Sequence, residues 1–141
     1  MKINAFYDQN LEIIKILCVL KTPHKRITTN FVFDTGSAHT ILNYTDSRRE
    51  VPLAKKSKLI RMGGEVYQSY ELNKIEILFK TSDNNIANLS FPVKIIKPNS
   101  FSIEKIENLD RFPNILGLDF LNKGYQFFCD IQRKEIFFNK N

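Results

Sequence analysis

The chain has 141 residues and a formal net charge of +6, with 43% hydrophobic and 26% charged side chains. That is the composition of an ordinary globular domain with room for one modest core, and it excludes a fold of two large lobes. The longest apolar run, Leu11 to Leu20, is broken by Glu12 and Lys15, too short and too charged for a membrane span. Met1-Lys2-Ile3-Asn4-Ala5 has no apolar leader pattern, so a cytoplasmic location without a membrane partner is expected.

In chain order, Leu11 to Thr22 and Ile27 to Phe33 read as an antiparallel strand pair joined by Pro23-His24-Lys25-Arg26. Thr40 to Asn43 is a short strand. Arg48-Arg49, Lys55-Lys56, Lys58 and Arg61 form a basic run interrupted by Glu50 and Pro52, which lacks interleaved aromatics and reads as a solvated loop; no nucleic-acid partner is expected. Lys58 to Arg61 and Glu65 to Gln68 flank Met62-Gly63-Gly64 as a hairpin, whose second arm continues into Leu72 to Lys80. Ser82-Asp83-Asn84-Asn85 is a turn, and Leu89 to Ile96 a strand in which Pro92 marks an edge or a bulge. Between Lys97 and Pro113, Ile103, Ile106 and Leu109 recur at near-helical spacing, which fits a turn or two of helix or a pinned surface loop equally. A short helix from Asp119 to Asn122 or Lys123 stops at Gly124, and Tyr125 to Ile131 with Lys134 to Phe138 closes the chain as a hairpin. The twelve Phe residues and frequent turn clusters make this an all-β chain, a small closed or partly closed barrel with one short C-terminal helix. It is read as a single domain over residues 1–141, with its core between about 11 and 138. Cys18 and Cys129 both lie in apolar strand-like segments and are expected to be buried free thiols. His24 and His39 sit in polar turns, and with only two Cys and two His no metal or other cofactor is expected.

Two stretches carry chemistry. In Val32-Phe33-Asp34-Thr35-Gly36-Ser37 an apolar strand runs into a turn that presents a carboxylate, with a glycine to admit the sharp turn and hydroxyls able to orient neighbouring groups. In Asn114-Ile115-Leu116-Gly117-Leu118-Asp119-Phe120-Leu121 a second buried-looking strand ends in a glycine, followed by an Asp suited to cap the short helix. Asp34-x-Gly36-x-x-x-Thr40 also fits a phosphate loop of the actin and sugar-kinase type, but that fold needs two large helical lobes, which this length cannot house.

Taken together and in this order, with a glycine pair between them, the two stretches resemble the retropepsin-like aspartic proteases, the single-lobe relatives of pepsin. The resemblance runs from about Leu11 to Phe138 and is closer to cellular members, such as the DNA-damage-inducible protease family, than to retroviral ones. Ala38 and Leu118 stand where retroviral enzymes usually carry an acidic residue and an Arg. The resemblance implies an aspartic endopeptidase that works as a two-fold homodimer on a peptide in extended conformation. Its water is activated between two Asp34 carboxylates, one per protomer, because this chemistry needs a carboxylate pair sharing one proton. It further implies that Thr35 bridges to the partner loop and that Gly36 lets substrate backbone approach. Ser37 is expected to donate to Asp34, with an activity optimum below about pH 6 from the dyad logic. Ile41 and Ile115 would line side-chain pockets, Met62, Gly63 and Gly64 would form the closing flap, and Gly117 would pack against the Asp34 loop. The competing reading is a catalytically silent dimerisation or peptide-binding module on the same fold.

Overall fold

A computed structural model describes residues 1–44, 55–62, 65–98 and 113–141. Alternating burial sets the first long strands: in Ile13–Lys21 (β3) Ile16, Cys18 and Leu20 point inward, and in Arg26–Phe33 (β4) Ile27, Phe31 and Phe33 do the same. They pair antiparallel from Lys15↔Val32 to Lys21↔Arg26 across the turn expected at Pro23 to Arg26, of which Arg26 already belongs to β4, and Thr22 closes it through its backbone and hydroxyl to the Lys25 carbonyl. Ahead of them stand two strands not anticipated from the sequence, Lys2–Asn4 (β1) and Phe6–Asp8 (β2). β2 forms a hairpin with β3, so Leu11 and Glu12 lie in a turn rather than in the strand. There the Asp8 carboxylate accepts the Asn10 and Leu11 N–H groups and pairs with Lys15 at 2.9 Å.

The remaining described strands are Ile41–Asn43 (β5), Lys55–Met62 (β6), Glu65–Lys80 (β7), Ile86–Pro98 (β8), Asn114–Leu116 (β9), Gln126–Asp130 (β10) and Glu135–Asn139 (β11), with one helix, Leu118–Leu121 (α1). One sheet runs β2-β3-β4-β9-β5-β8-β7-β6, and a further β3–β7 pairing, Cys18↔Phe79 to Lys21↔Glu76, closes β3, β4, β9, β5, β8 and β7 into a barrel. Closure pairs the two edges of that six-stranded part with each other, while β2 and β6 remain at the ends of the sheet. At the seam Lys21 and Glu76 form a 3.3 Å ion pair that holds the Glu76 carboxyl below its ordinary range.

β7 spans the hairpin arm and its expected continuation to Lys80, β8 is longer than the expected Leu89 to Ile96, and the pair accommodates one irregularity. Leu72 faces Val93 and Ile75 faces Phe91, so two residues of β7 oppose Pro92 alone. Proline has no N–H to give the ladder, and the bulge lets it sit in a strand paired on both sides. The turn after β7 falls where expected, with Asn84 at φ 64. The β6–β7 hairpin pairs through Arg61↔Val66 and Met62↔Glu65, while residues 63–64 lie outside the described residues. Lys55, Lys56, Lys58 and Arg61 are exposed, but on a strand rather than in a loop; Arg48 and Arg49 lie outside the described residues, as do Ile103, Ile106 and Leu109.

A second sheet, β1-β11-β10, joins the two ends of the chain: Ile3 pairs with Phe138, and Met1 and Lys140 exchange backbone hydrogen bonds. Ile3, ahead of the span expected to carry the core, is buried. The closing hairpin falls as expected, and its inward aromatics build a ring cluster around Phe138, whose ring lies 4.9–5.0 Å from those of Phe33, Phe120 and Phe127. Cys18 is buried as expected; Cys129 is exposed, because β10 is an edge strand of a sheet covered on one face only. Among the described residues no helix is long and apolar enough to cross a membrane.

Candidate active site

The site is built where β4 ends. Phe33 points into the core against Phe127 and Phe138, which anchors the residue immediately before Asp34. The next backbone N–H, that of Asp34, donates to the Leu116 carbonyl at 3.1 Å, extending the parallel β4–β9 pairing of Phe31↔Asn114 to Phe33↔Leu116. The chain then turns, with the Ser37 N–H donating to the Asp34 carbonyl at 3.2 Å. Asp34, Thr35 and Gly36 are exposed at the tip.

Within the turn the Gly36 N–H donates to Asp34 Oδ1 at 2.8 Å, a side-chain-to-backbone closure typical of Asp in turns. A Cβ on Gly36 would stand 3.1 Å from that same oxygen, so the glycine here makes room for the carboxylate. Ser37 departs from expectation. Its hydroxyl donates to the His39 carbonyl at 2.7 Å rather than to Asp34, because the turn directs Ser37 toward the outgoing strand. The donor that orients Asp34 is therefore backbone, and the acid optimum expected from the sequence loses the Ser37 hydrogen bond as one of its supports.

Behind the loop stand β9 and the start of α1. The Leu118 N–H donates to the Ser37 carbonyl at 2.8 Å, and the Asp119 N–H to the Ala38 carbonyl at 3.3 Å. Loop carbonyls thus cap a helix whose N-cap residue, Gly117, has no side chain to do so. Asp119 is not the cap that its position suggests. Its carboxylate accepts the Thr40 N–H at 2.9 Å and the Thr40 hydroxyl at 2.7 Å, while that hydroxyl accepts the Gly117 N–H at 3.2 Å. Gly117 packs against the loop as expected: a Cβ there would fall 2.5 Å from the His39 carbonyl carbon and 2.8 Å from the Ser37 oxygen.

Asn114, buried at 1% exposure, ties three strands together. It accepts the Asn43 N–H of β5 at 2.8 Å and donates to the Thr29 hydroxyl of β4 at 3.1 Å. From sequence, Asn114 has no chemical role of its own and Thr40 has one only at the end of the rejected phosphate-loop pattern; the one available signal is that each is a polar residue directly before an apolar pair, Ile115-Leu116 and Ile41-Leu42. Ile41 and Ile115 are brought together as directly opposed residues of β5 and β9. Ile115 is buried, and half-buried Ile41 packs on a small cluster with Ile60, Tyr67 and Ile96. Met62 ends β6 on the hairpin, and Gly63 and Gly64 lie outside the described residues. Beside the loop, His39 with Leu72, Pro92, Val93, Lys94 and Glu71 lines a cavity of about 180 Å³.

No protein-family model matches the chain, and no curated protein sequence matches it. Among solved structures it is similar to a retropepsin-like aspartic protease from Rickettsia conorii, with a TM-score of 0.52 at 12% identity over 99% of this chain and 89% of that one. The EIAV protease complexed with the inhibitor HBY-793 aligns with a TM-score of 0.49 at 16% identity, over 82% of this chain and 92% of that one. The first likeness establishes the fold, the all-β retropepsin-like architecture expected from the sequence.

Proposed function

We propose that the chain is one protomer of a homodimeric aspartic endopeptidase in which Asp34 of each copy supplies one carboxylate of the dyad. The observation that carries this reading is Asp34 itself, exposed at the end of β4 on a retropepsin-like fold, with its carboxylate oriented by the Gly36 N–H at 2.8 Å. One Asp34 cannot do the chemistry alone. Two carboxylates about 3 Å apart share a proton, so that one activates water as general base while the other polarises the scissile carbonyl. Around a two-fold axis the exposed Thr35 would reach the partner's loop, and Gly36 would let an extended peptide lie against the turn. Ser37 serves the loop through its His39 contact. Ile41 and Ile115 offer apolar side chains beside the loop, and the Met62-Gly63-Gly64 end of the β6–β7 hairpin would close over the substrate and exclude water. Ala38 and Leu118 are both apolar, so the ion pair usual at these positions in retroviral enzymes cannot form, which favours the cellular branch of the family.

The test is digestion of a peptide library at several pH values by the wild type and by Asp34→Asn, with the mass in solution measured alongside. Cleavage best at acidic pH, lost by at least about a thousandfold in the variant while the dimer persists, is the expected result. An active monomer, or cleavage that survives Asp34→Asn, overturns the proposal; a dimer that binds peptides and cleaves none identifies the silent module instead.

A further inference from the structure

We propose that Asp119 and Thr40 form a positioning pair that sets the geometry of the Asp34 loop, an inference that rests on the endopeptidase reading for its catalytic consequence but not for its structural one. Four consecutive residues, Leu116 to Asp119, each hold the segment from Asp34 to Thr40. The Leu116 carbonyl accepts the Asp34 N–H, the Gly117 N–H donates to the Thr40 hydroxyl, the Leu118 N–H donates to Ser37, and the Asp119 N–H donates to Ala38. The segment is thereby tied at both ends and through its second half, while Thr35 and Gly36 stay exposed at the tip.

Three of those four ties run between backbone atoms, which almost any sequence could supply. The part that depends on side chains is the Thr40 hydroxyl, which receives Gly117 and donates to Asp119 Oδ1, and the carboxylate that takes the hydroxyl and the Thr40 N–H together. Thr40 is fully buried and Asp119 half-buried, so a lost partner there is not simply replaced by bulk water. Both carboxylate oxygens engage one residue, which fixes its orientation as well as its distance. The Thr40 carbonyl in turn accepts the Lys94 N–H at 3.0 Å, so the pair joins the loop to α1 on one side and to β8 on the other. Asp119 touches no reacting atom on this reading; it acts on Asp34 through Thr40 and the turn.

The experiment compares the wild type with Thr40→Val, Thr40→Ser and Asp119→Asn by amide hydrogen exchange and by peptide-cleavage kinetics. In Thr40→Val and Asp119→Asn, exchange at the amides of Gly36, Ser37, residue 40, Gly117 and Leu118 should accelerate at least about tenfold while the β10–β11 amides keep their wild-type rates. In the same variants kcat should fall roughly 10- to 100-fold with KM within about twofold, the signature of misplaced catalytic groups rather than lost substrate binding. Thr40→Ser, which keeps the hydroxyl, should restore both readouts. Unchanged loop exchange, acceleration spread evenly over the molecule, or loss of the fold in both variants overturns the proposal. If the loop loosens as expected but no protein in the series shows Asp34-dependent cleavage, the positioning pair stands and the endopeptidase reading is the part that fails.

Discussion

The two supports of the Asp34 loop are made of different materials. From below, Phe33 is wedged into rings contributed by the terminal hairpin, Phe127 at 4.7 Å and Phe138 at 4.9 Å, a cluster that continues through Phe120 to Tyr125. From the side, the loop is held by the Thr40–Asp119 pair and the backbone of Leu116 to Asp119, a set of directed hydrogen bonds, while Asn114 ties β4, β5 and β9 together next to it. Aromatic burial is worth much but has weak directional demands, whereas a hydrogen bond contributes little net stability and specifies geometry closely. The comparison suggests a division of labour, in which the terminal hairpin keeps the molecule folded and the polar side keeps the carboxylate in place.

Substitutions can separate the two. The largest expected effect on stability is at the aromatic end: Phe138→Ala removes a fully buried ring and should cost roughly 3–5 kcal/mol in chemical denaturation. On the proposed endopeptidase reading, molecules that remain folded should keep their cleavage rate; a fall in that rate instead would mean that Phe33 transmits the loss to Asp34. Next is Gly117→Ala on the polar side, where the new Cβ meets backbone atoms of His39 at 2.5 Å. Overpacking of this kind costs about 1–3 kcal/mol, less than the aromatic deletion, yet here it should cut kcat more deeply than Phe138→Ala does. Equal losses of stability and rate in the two variants would erase the distinction between the supports.

The smallest effect lies in neither region and serves as a control. The Lys15 ammonium, followed by the Leu11 N–H, holds the Asp8 carboxyl below its ordinary value of 3.8. Because the folded pKa is depressed, the pair's stabilisation is present above 3.8 and is lost as pH falls from there through the folded value. The thermal midpoint of Asp8→Asn should lie slightly below that of the wild type at about pH 6, and the gap should close in acid without any change in the loop's hydrogen exchange. A gap that persists in acid would trace the Asp8 contribution to packing rather than charge.

Much of this was legible in short windows of sequence. The apolar run into Asp34-Thr35-Gly36, the hairpins around Pro23 and Gln132, the edge or bulge that Pro92 demands and the end of the helical turn at Gly124, which takes φ 89, each depend on a few adjacent residues whose backbone preferences act locally. The close approach of Gly117 to the loop was also legible, through resemblance. The role of Asp119 was not, since an acid at the start of a helix reads as a cap and its partner Thr40 lies 79 residues away. For the same reason the burial of Cys129 was misjudged: an apolar segment shows that a strand forms, not which of its faces is covered.

By itself, then, the amino-acid order determined most of the longer strands, though not β1 or β2, and the turn that presents Asp34, because φ/ψ preferences and side-chain periodicity are properties of neighbours along the chain. Only the tertiary structure decided that β3 meets β7 to close the barrel, that the termini pair with each other, and that Ser37 faces His39 while Asp119 holds Thr40. Those partners are selected by which buried donors and apolar faces remain unmatched once the whole chain has collapsed, a condition that no local window contains.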